Sequence, residues 1–331
     1  MIPIRDTITS STNPVVTYTI ISANTFLYLL QVGMGTELNA FIYRYGFVPA
    51  KLTVPEISAM FSFYNVLFST ISYIFLHGSF WHFIGNMWFL YIFGDNVEEY
   101  LGALRFMGFY IICGVASALL HFFLNPLSPI PTIGASGAIA GVMGAYFILY
   151  PKAKILTIIP IVIIPWFVDI PAFIFLGFWF LIQFYNATES GGVSGIAWWA
   201  HVGGFIAGIA IVKIWGERPQ PIGEDKLKAL TARKTTPKLQ NIHPKPIEHT
   251  LDLIGTIEIT SIEAISGALK LVNIPWGFYT RLYNVSIPPG VTNGTRIRLT
   301  GMGRAGSYAV RGDMYLTVAI KNPIEFLKNL N

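Results

Sequence analysis

The sequence predicts an α-helical polytopic membrane protein, a bundle of six helices, followed by a small all-β sandwich domain. Three observations lead there. Of 331 residues, 53% are hydrophobic and only 12% charged, with a mean hydropathy of +0.56, whereas a soluble domain is about 25% charged. Six apolar runs approach the ~20 residues needed to cross a bilayer. The charge is also divided, since residues 1–218 hold 8 Lys and Arg against 9 Asp and Glu while residues 219–331 hold 14 against 8. The chain therefore reads as a membrane part (1–218), a basic Pro-rich linker (219–251) and a β domain (252–331).

The six runs fall at 15–32, 80–94, 104–124, 136–150, 171–185 and 197–215. Residues 155–168 are as apolar as a span, but Pro160, Pro165 and Asp169 interrupt them, so they read as an interfacial approach to the fifth helix. The long first loop, 33–78, contains Phe41-Ile-Tyr-Arg-Tyr-Gly-Phe-Val48 and reads as lying in the headgroup layer. Arg105, Lys152, Lys154, Lys213 and Arg218 share one face in the six-span arrangement. By the positive-inside rule that face, with both termini, is cytoplasmic. Met1 to Pro14 lacks the pattern of a cleavable signal peptide. The single cysteine, Cys113, sits in an apolar run and excludes a disulfide framework or a cysteine-rich metal site. No metal, cofactor or nucleic-acid partner is expected.

Gly134-Ala135-Ser136-Gly137 opens the fourth helix, and Gly137 and Gly141 follow at small-residue spacing. Ala200-His201 opens the sixth, with Gly204 and Gly208 beyond it. Such residues let helix backbones touch, so Gly134, Gly137, Gly141, Gly204 and Gly208 are read as packing positions and Ser136 as facing the bundle interior. An ionisable side chain inside a membrane segment marks a functional site. Ser136 and His201 together fit a nucleophile and its base, the competing reading being a hydrogen bond that merely holds the bundle. His82 and Asn86 lie four residues apart on one face of the second helix, at the same shallow level. Attack on a peptide carbonyl also needs donors for the oxygen that becomes negative; Asn86, His82 and the backbone N–H groups of Ser136 and Ala135 are the candidates. No carboxylate is placed to orient His201: Asp169 and Glu189 are assigned to loops and Asp95 to the wrong face. The expectation is a Ser-His dyad, its imidazole set by packing or a less polar partner.

These motifs resemble those of rhomboid intramembrane serine proteases. The resemblance covers about residues 15–215 and rests on Gly134-Ala-Ser136-Gly137, on Ala200-His201-xx-Gly204-xxx-Gly208 behind Trp198-Trp199, and on His77, His82 and Asn86. It implies a serine endopeptidase with Ser136 as nucleophile, His201 as base, and Asn86, His82 and the Ser136 amide as oxyanion ligands. It implies substrates that are transmembrane helices, cut near their outer end. One departure is Tyr43-Arg44-Tyr45, where some relatives carry a Trp-Arg pair. Because a helix must unwind before its carbonyls can be attacked, helix-weak residues should mark the cut. The fifth helix and the loop 186–195, with Gly191, Gly192 and Gly195 as hinges, read as the gate. The alternative is a non-catalytic membrane chaperone or adaptor that binds transmembrane segments without cutting them.

In the tail, Lys226, Lys228, Arg233, Lys234 and Lys238 lie on anionic lipid or in a solvated linker. From Gly255 the pattern alternates, in Thr256-Ile-Glu-Ile-Thr-Ser, Tyr283-Asn-Val-Ser-Ile, Arg296-Ile-Arg-Leu-Thr and Asp313 to Ile320. Turn signals separate these runs at Pro288-Pro-Gly, Asn293-Gly294 and 301–306. Residues 252–323 resemble the C-terminal peptide-binding domain of DnaJ chaperones, without a J-domain signature or zinc cysteines. That resemblance implies an edge or groove for an extended cytoplasmic peptide. His121, His243 and His249 are read as structural or solvated. The expected location is a prokaryotic plasma membrane, with transmembrane substrates, lipid and a cytoplasmic peptide as partners.

Overall fold

Apolar side chains repeating around whole helices, with polar groups confined to a few positions, produce the first part of the structure. The computed structural model describes residues 1–8, 10, 12–161, 164–189, 196–215, 239–276, 279–306 and 311–321. They form two units, Met1–Leu227 and Lys228–Asn331. The first begins with strand β1 (Ile2–Asp6) and helix α1 (Val15–Gly33). A long connection follows, with α2 (Leu38–Tyr45), the single turns α3 (Ala50–Thr53) and α4 (Pro55–Ser58), and α5 (Phe63–Ser72). Then come α6 (Phe80–Leu101), α7 (Ala103–Leu124), α8 (Ser136–Leu149), strands β2 (Lys154–Ile161) and β3 (Ile164–Pro171), α9 (Ala172–Glu189) and α10 (Trp198–Trp215). Helices α1, α6, α7, α8, α9 and α10 coincide with the six apolar runs. Of these, α1, α7 and α10 have the length and apolar character to cross a membrane by themselves. The chain is an integral membrane protein.

Local chemistry fixes the helix ends. The Ser79 hydroxyl accepts the His82 N–H at the head of α6. At its foot Gly102 takes φ +84°, which stops α6 and allows α7 to start at once. Helix α1 has no side-chain cap of its own, and Glu98 from α6 supplies one. Its carboxylate accepts the N–H groups of Val16 at 2.9 Å and Thr17 at 2.7 Å, and the Thr17 hydroxyl at 2.8 Å. An acid in a membrane helix is thereby spent on orphan amides and the positive end of a helix.

Between α8 and α10 the glycines bring backbone against backbone. A methyl added at Gly204 would overlap the carbonyl oxygen of Gly137, and one at Gly208 that of Gly141. At Gly141 it would stand 2.5 Å from the Cys113 sulfur. Gly134 differs from the other four: it precedes the helix at φ +123° and presses on the His82 ring, 2.7 Å from where its methyl would be. It shapes the approach to Ser136 and is not a helix-packing position.

The stretch read as an interfacial approach to the fifth helix is a β-hairpin. Lys154 pairs with Pro171 and Ile161 with Ile164, and β1 adds to the other edge of β2. The period-2 signal is present, with Ile155 and Thr157 buried and Lys154 exposed, but an unbroken apolar run conceals it. β1 is held against the bundle: Asp6 accepts the Tyr146 hydroxyl at 2.5 Å and the Asn96 amide at 2.8 Å, and Trp88 donates to the Pro3 carbonyl at 2.6 Å. Burial raises the Asp6 carboxyl to about 6. Asp169 lies in β3 and Glu189 ends α9, so neither belongs to a loop.

The first loop is built, not draped. Lys51 is buried and donates to the carbonyls of Tyr43 and Arg44, at 2.5 and 3.1 Å, closing the foot of α2. Its ammonium lies 4.2 Å from the centre of the Phe61 ring. This cation, on the side read as outer, is consumed by the loop itself. The loop in turn braces the segment ahead of α8: Phe47 and Thr132 exchange N–H···O bonds at 3.0 and 2.7 Å, and Ala50 donates to Ser128 at 3.0 Å.

In the second unit, β4 (Leu239–Asn241), β7 (Ala268–Trp276) and β8 (Tyr279–Ile287) form one sheet. β5 (Lys245–Pro246), β6 (Leu253–Thr260), β9 (Arg296–Leu299) and β10 (Met314–Lys321) form the other, in the order β5-β6-β10-β9. Ile257, Ile259, Val272, Ile274, Leu316 and Val318 are among its buried core. The second half of the stretch assigned to a linker is drawn into these sheets, β4 pairing with β7 and β5 with β6. Helix α11 (Ser261–Ser266) carries a capping box between Thr260 and Glu263, and Glu263 also takes the buried Lys270 ammonium. The turn glycines Gly290, Gly294 and Gly301 all have positive φ. Lys226, Lys228, Arg233, Lys234, Lys238, Arg218 and the hinge glycines Gly191, Gly192 and Gly195 lie outside the described residues.

Candidate active site

Helix α8 has 14 residues, ~21 Å at 1.5 Å per residue, and cannot span the ~30 Å hydrocarbon layer. Its first residue, Ser136, is half-buried. A cavity of about 650 Å³ opens there, lined by α6, α7, α8, α9, α10 and the segment ahead of α8. Ser136, His201, His82 and Asn86 all line it.

The His201 Nε2 atom is 2.8 Å from the Ser136 hydroxyl oxygen. Close approach of α8 and α10 at Gly137, Gly141, Gly204 and Gly208 makes that distance reachable for two short side chains. The ring is gripped by indoles, Trp179 at 6.1 Å between centres and Trp198 edge-on at 5.9 Å. Its Nδ1 atom is 2.8 Å from the side-chain oxygen of Gln183, on α9. Gln183 is the contact of His201 that sequence reasoning missed. The one trace of it in the sequence is a lone amide closing the apolar run Phe178-Trp-Phe-Leu-Ile-Gln183, which names no partner.

Ala135 stands at the N-terminal boundary of α8 and is fully buried, so the amides that follow it lack intrahelical acceptors. The Asn86 amide nitrogen is buried with no hydrogen-bond acceptor among the described residues. It lies 3.6 Å from where a Gly134 methyl would be, beside the His82 ring. Asn86, His82 and the head of α8 thus line the same cavity as the Ser136 hydroxyl, and the Asn86 donor is unused among the described residues. His77 stays behind, buried and edge-on to His82 at 5.3 Å between rings. Gln31 brackets its backbone from both sides, at 3.0 and 3.1 Å. His121 lines the far wall of the cavity. Among the described lining residues there is no carboxylate, and no group of three His, Cys, Asp or Glu is disposed to hold a metal ion.

Fold and site together define a helical membrane domain with a hydroxyl and an imidazole in contact at a cavity, followed by a β domain. Residues 64–218 match the model of the rhomboid domain, and residues 253–329 that of the DnaJ C terminal domain. It is 38% identical over 92 residues to Rhomboid protein 1, mitochondrial, of Saccharomyces cerevisiae, covering 27% of each chain. It is 34% identical over 140 residues to Rhomboid protease GluP of Bacillus subtilis, covering 42% of this chain and 25% of that one. Its tail is 56% identical over 43 residues to Chaperone protein DnaJ 1 of Mycobacterium tuberculosis, covering 13% of this chain and 11% of the relative. The chain thus spans about a quarter, or less, of the length of these relatives.

Proposed function

We propose that this protein is an intramembrane serine endopeptidase acting through a Ser136-His201 dyad on transmembrane segments of other proteins. The contact of 2.8 Å between the two side chains carries the reading. Ser136 adds its oxygen to the scissile carbonyl carbon while its proton passes to His201 Nε2. Asn86, His82 and the first amides of α8 receive the oxygen that becomes negative. The proton then moves from His201 to the leaving nitrogen, the C–N bond breaks, and water removes the acyl group from Ser136 by the same steps in turn. The positive end of α8 favours the negative intermediate.

The cut falls near the outer end of the substrate helix, where a segment with Gly, Ala or Ser unwinds most readily. The basic loops support an orientation with both termini inside; the reading further takes the membrane as a prokaryotic plasma membrane and the second unit as a cytoplasmic binder of extended peptide, with β8 at the edge of its sheet among the described residues. The domain division we propose is residues 1–218 for the protease and 252–331 for the binder, with β4 and β5 joining the latter.

The test is cleavage of a single-span model substrate in liposomes, with products identified by mass spectrometry. The wild-type chain should cut once near the outer end, and Ser136→Ala and His201→Ala should not cut at all. Substrate capture without any cleavage by the wild type would instead favour a chaperone or adaptor. Comparing the full chain with one ending near residue 218 tests the tail: a lower KM in the full chain supports recruitment, and equal kinetics removes it.

A further inference from the structure

We infer that Gln183 is a positioning residue, fixing both the orientation and the proton tautomer of His201 in place of the carboxylate found in catalytic triads. The inference rests on the protease reading above and adds a fifth-helix group to it.

The argument begins with the amide. Gln183 is only 6% exposed, and its two ends face different partners. Its nitrogen donates to the Trp179 carbonyl one turn earlier, at 3.4 Å, and its oxygen is 2.8 Å from His201 Nδ1. A carbonyl only accepts, so the Trp179 contact selects which end of the amide turns to the histidine. An amide oxygen also only accepts, so Nδ1 must carry the ring proton. Nε2 is then left with its lone pair, 2.8 Å from the Ser136 hydroxyl, and is ready to take that proton. With the tautomer reversed, Nε2 would already hold a hydrogen and Ser136 would have no base.

An amide and a carboxylate act differently here. Both orient the ring, but a carboxylate also stabilises the imidazolium that forms during attack. Among the described residues, the titratable groups lining the cavity around His201 are Tyr73 from the turn after α5, His82 from α6 and His121 from α7, with Trp179 and Trp198 against the ring. None brings negative charge. Glutamate at position 183 would keep the acceptor and add that charge. The location matters as well: Gln183 belongs to α9, whereas Ser136 and His201 belong to α8 and α10. Seating of α9 against the bundle thereby completes the base, and displacing α9 to admit a substrate would release it.

The experiment uses the full chain in detergent or nanodiscs with ¹⁵N-labelled histidine. In the wild type at neutral pH, the His201 ring shifts should report a protonated Nδ1 and a bare Nε2; the opposite tautomer overturns the proposal, with no variant needed. Gln183→Leu should lower the rate of Ser136 labelling by a fluorophosphonate about 10²-fold, with mixed tautomers and KM for substrate little changed. Gln183→Glu should restore most of that rate and move the acidic limb of the pH–rate profile to higher pH. Wild-type labelling and pH profile in Gln183→Leu would reject the role of Gln183 while leaving the protease reading standing. Failure of the wild type itself to label would reject the protease reading instead.

Discussion

The carbonyl of Gly137 occupies the place where a side chain on Gly204 would begin. Helices α8 and α10 therefore touch through their backbones, and the Ser136–His201 contact depends on this. Gly204→Ala should lower the melting temperature and abolish activity, since overpacking costs about 1–3 kcal/mol and pushes the two helices apart. Gly108→Ala in α7, with nothing within 4 Å of the new methyl, should leave both unchanged or gain up to about 1 kcal/mol from helix propensity. Thermal unfolding of the two variants in one detergent checks the contrast.

Asn86 is expected to serve the intermediate and not the nucleophile. Asn86→Ala should reduce turnover by about 10²–10³-fold and still permit slow labelling of Ser136, whereas Ser136→Ala should permit none. Single-turnover kinetics separates the two.

The N-terminal strand should hold more firmly in acid. Asp6 titrates at about 6 in the folded protein, against an ordinary value of 3.8, because burial disfavours its charge. The folded state therefore keeps a proton that the unfolded chain has released between about pH 4 and 6. The resulting stability is complete below that window and lost as pH rises through 6. The fall in melting temperature from pH 5 to pH 7.5 should be smaller in Asp6→Asn than in the wild type.

Lys51→Met removes the donor shared by the carbonyls of Tyr43 and Arg44 and leaves them facing an apolar interior. A loss of about 1–3 kcal/mol is expected, concentrated in the first loop, where α2 should become more open to protease than the helices of the bundle. Faster cleavage within residues 38–61 than in the wild type is the readout.

The spans and the pair Ser136 and His201 were legible because membrane helices announce themselves by apolar length, and because glycines at regular spacing mark where backbones meet. Gln183 was not, since a single amide in an aromatic run has no pattern until the α9–α10 contact exists. The hairpin of β2 and β3 was hidden for the opposite reason, its strands being too apolar to alternate. β7 went unseen because the buried Lys270 breaks the apolar rhythm of Ala268–Trp276, and its partner Glu263 lies in another element. Lys51 reads as a cation on the wrong side of the membrane until its carbonyl acceptors are in view.

The most direct test of the dyad is intact-protein mass spectrometry after treatment with a fluorophosphonate. One adduct, mapped to Ser136 in the wild type and absent from His201→Ala, is the predicted result. An unmodified wild-type chain, or equal labelling of Ser136 without His201, would contradict the account.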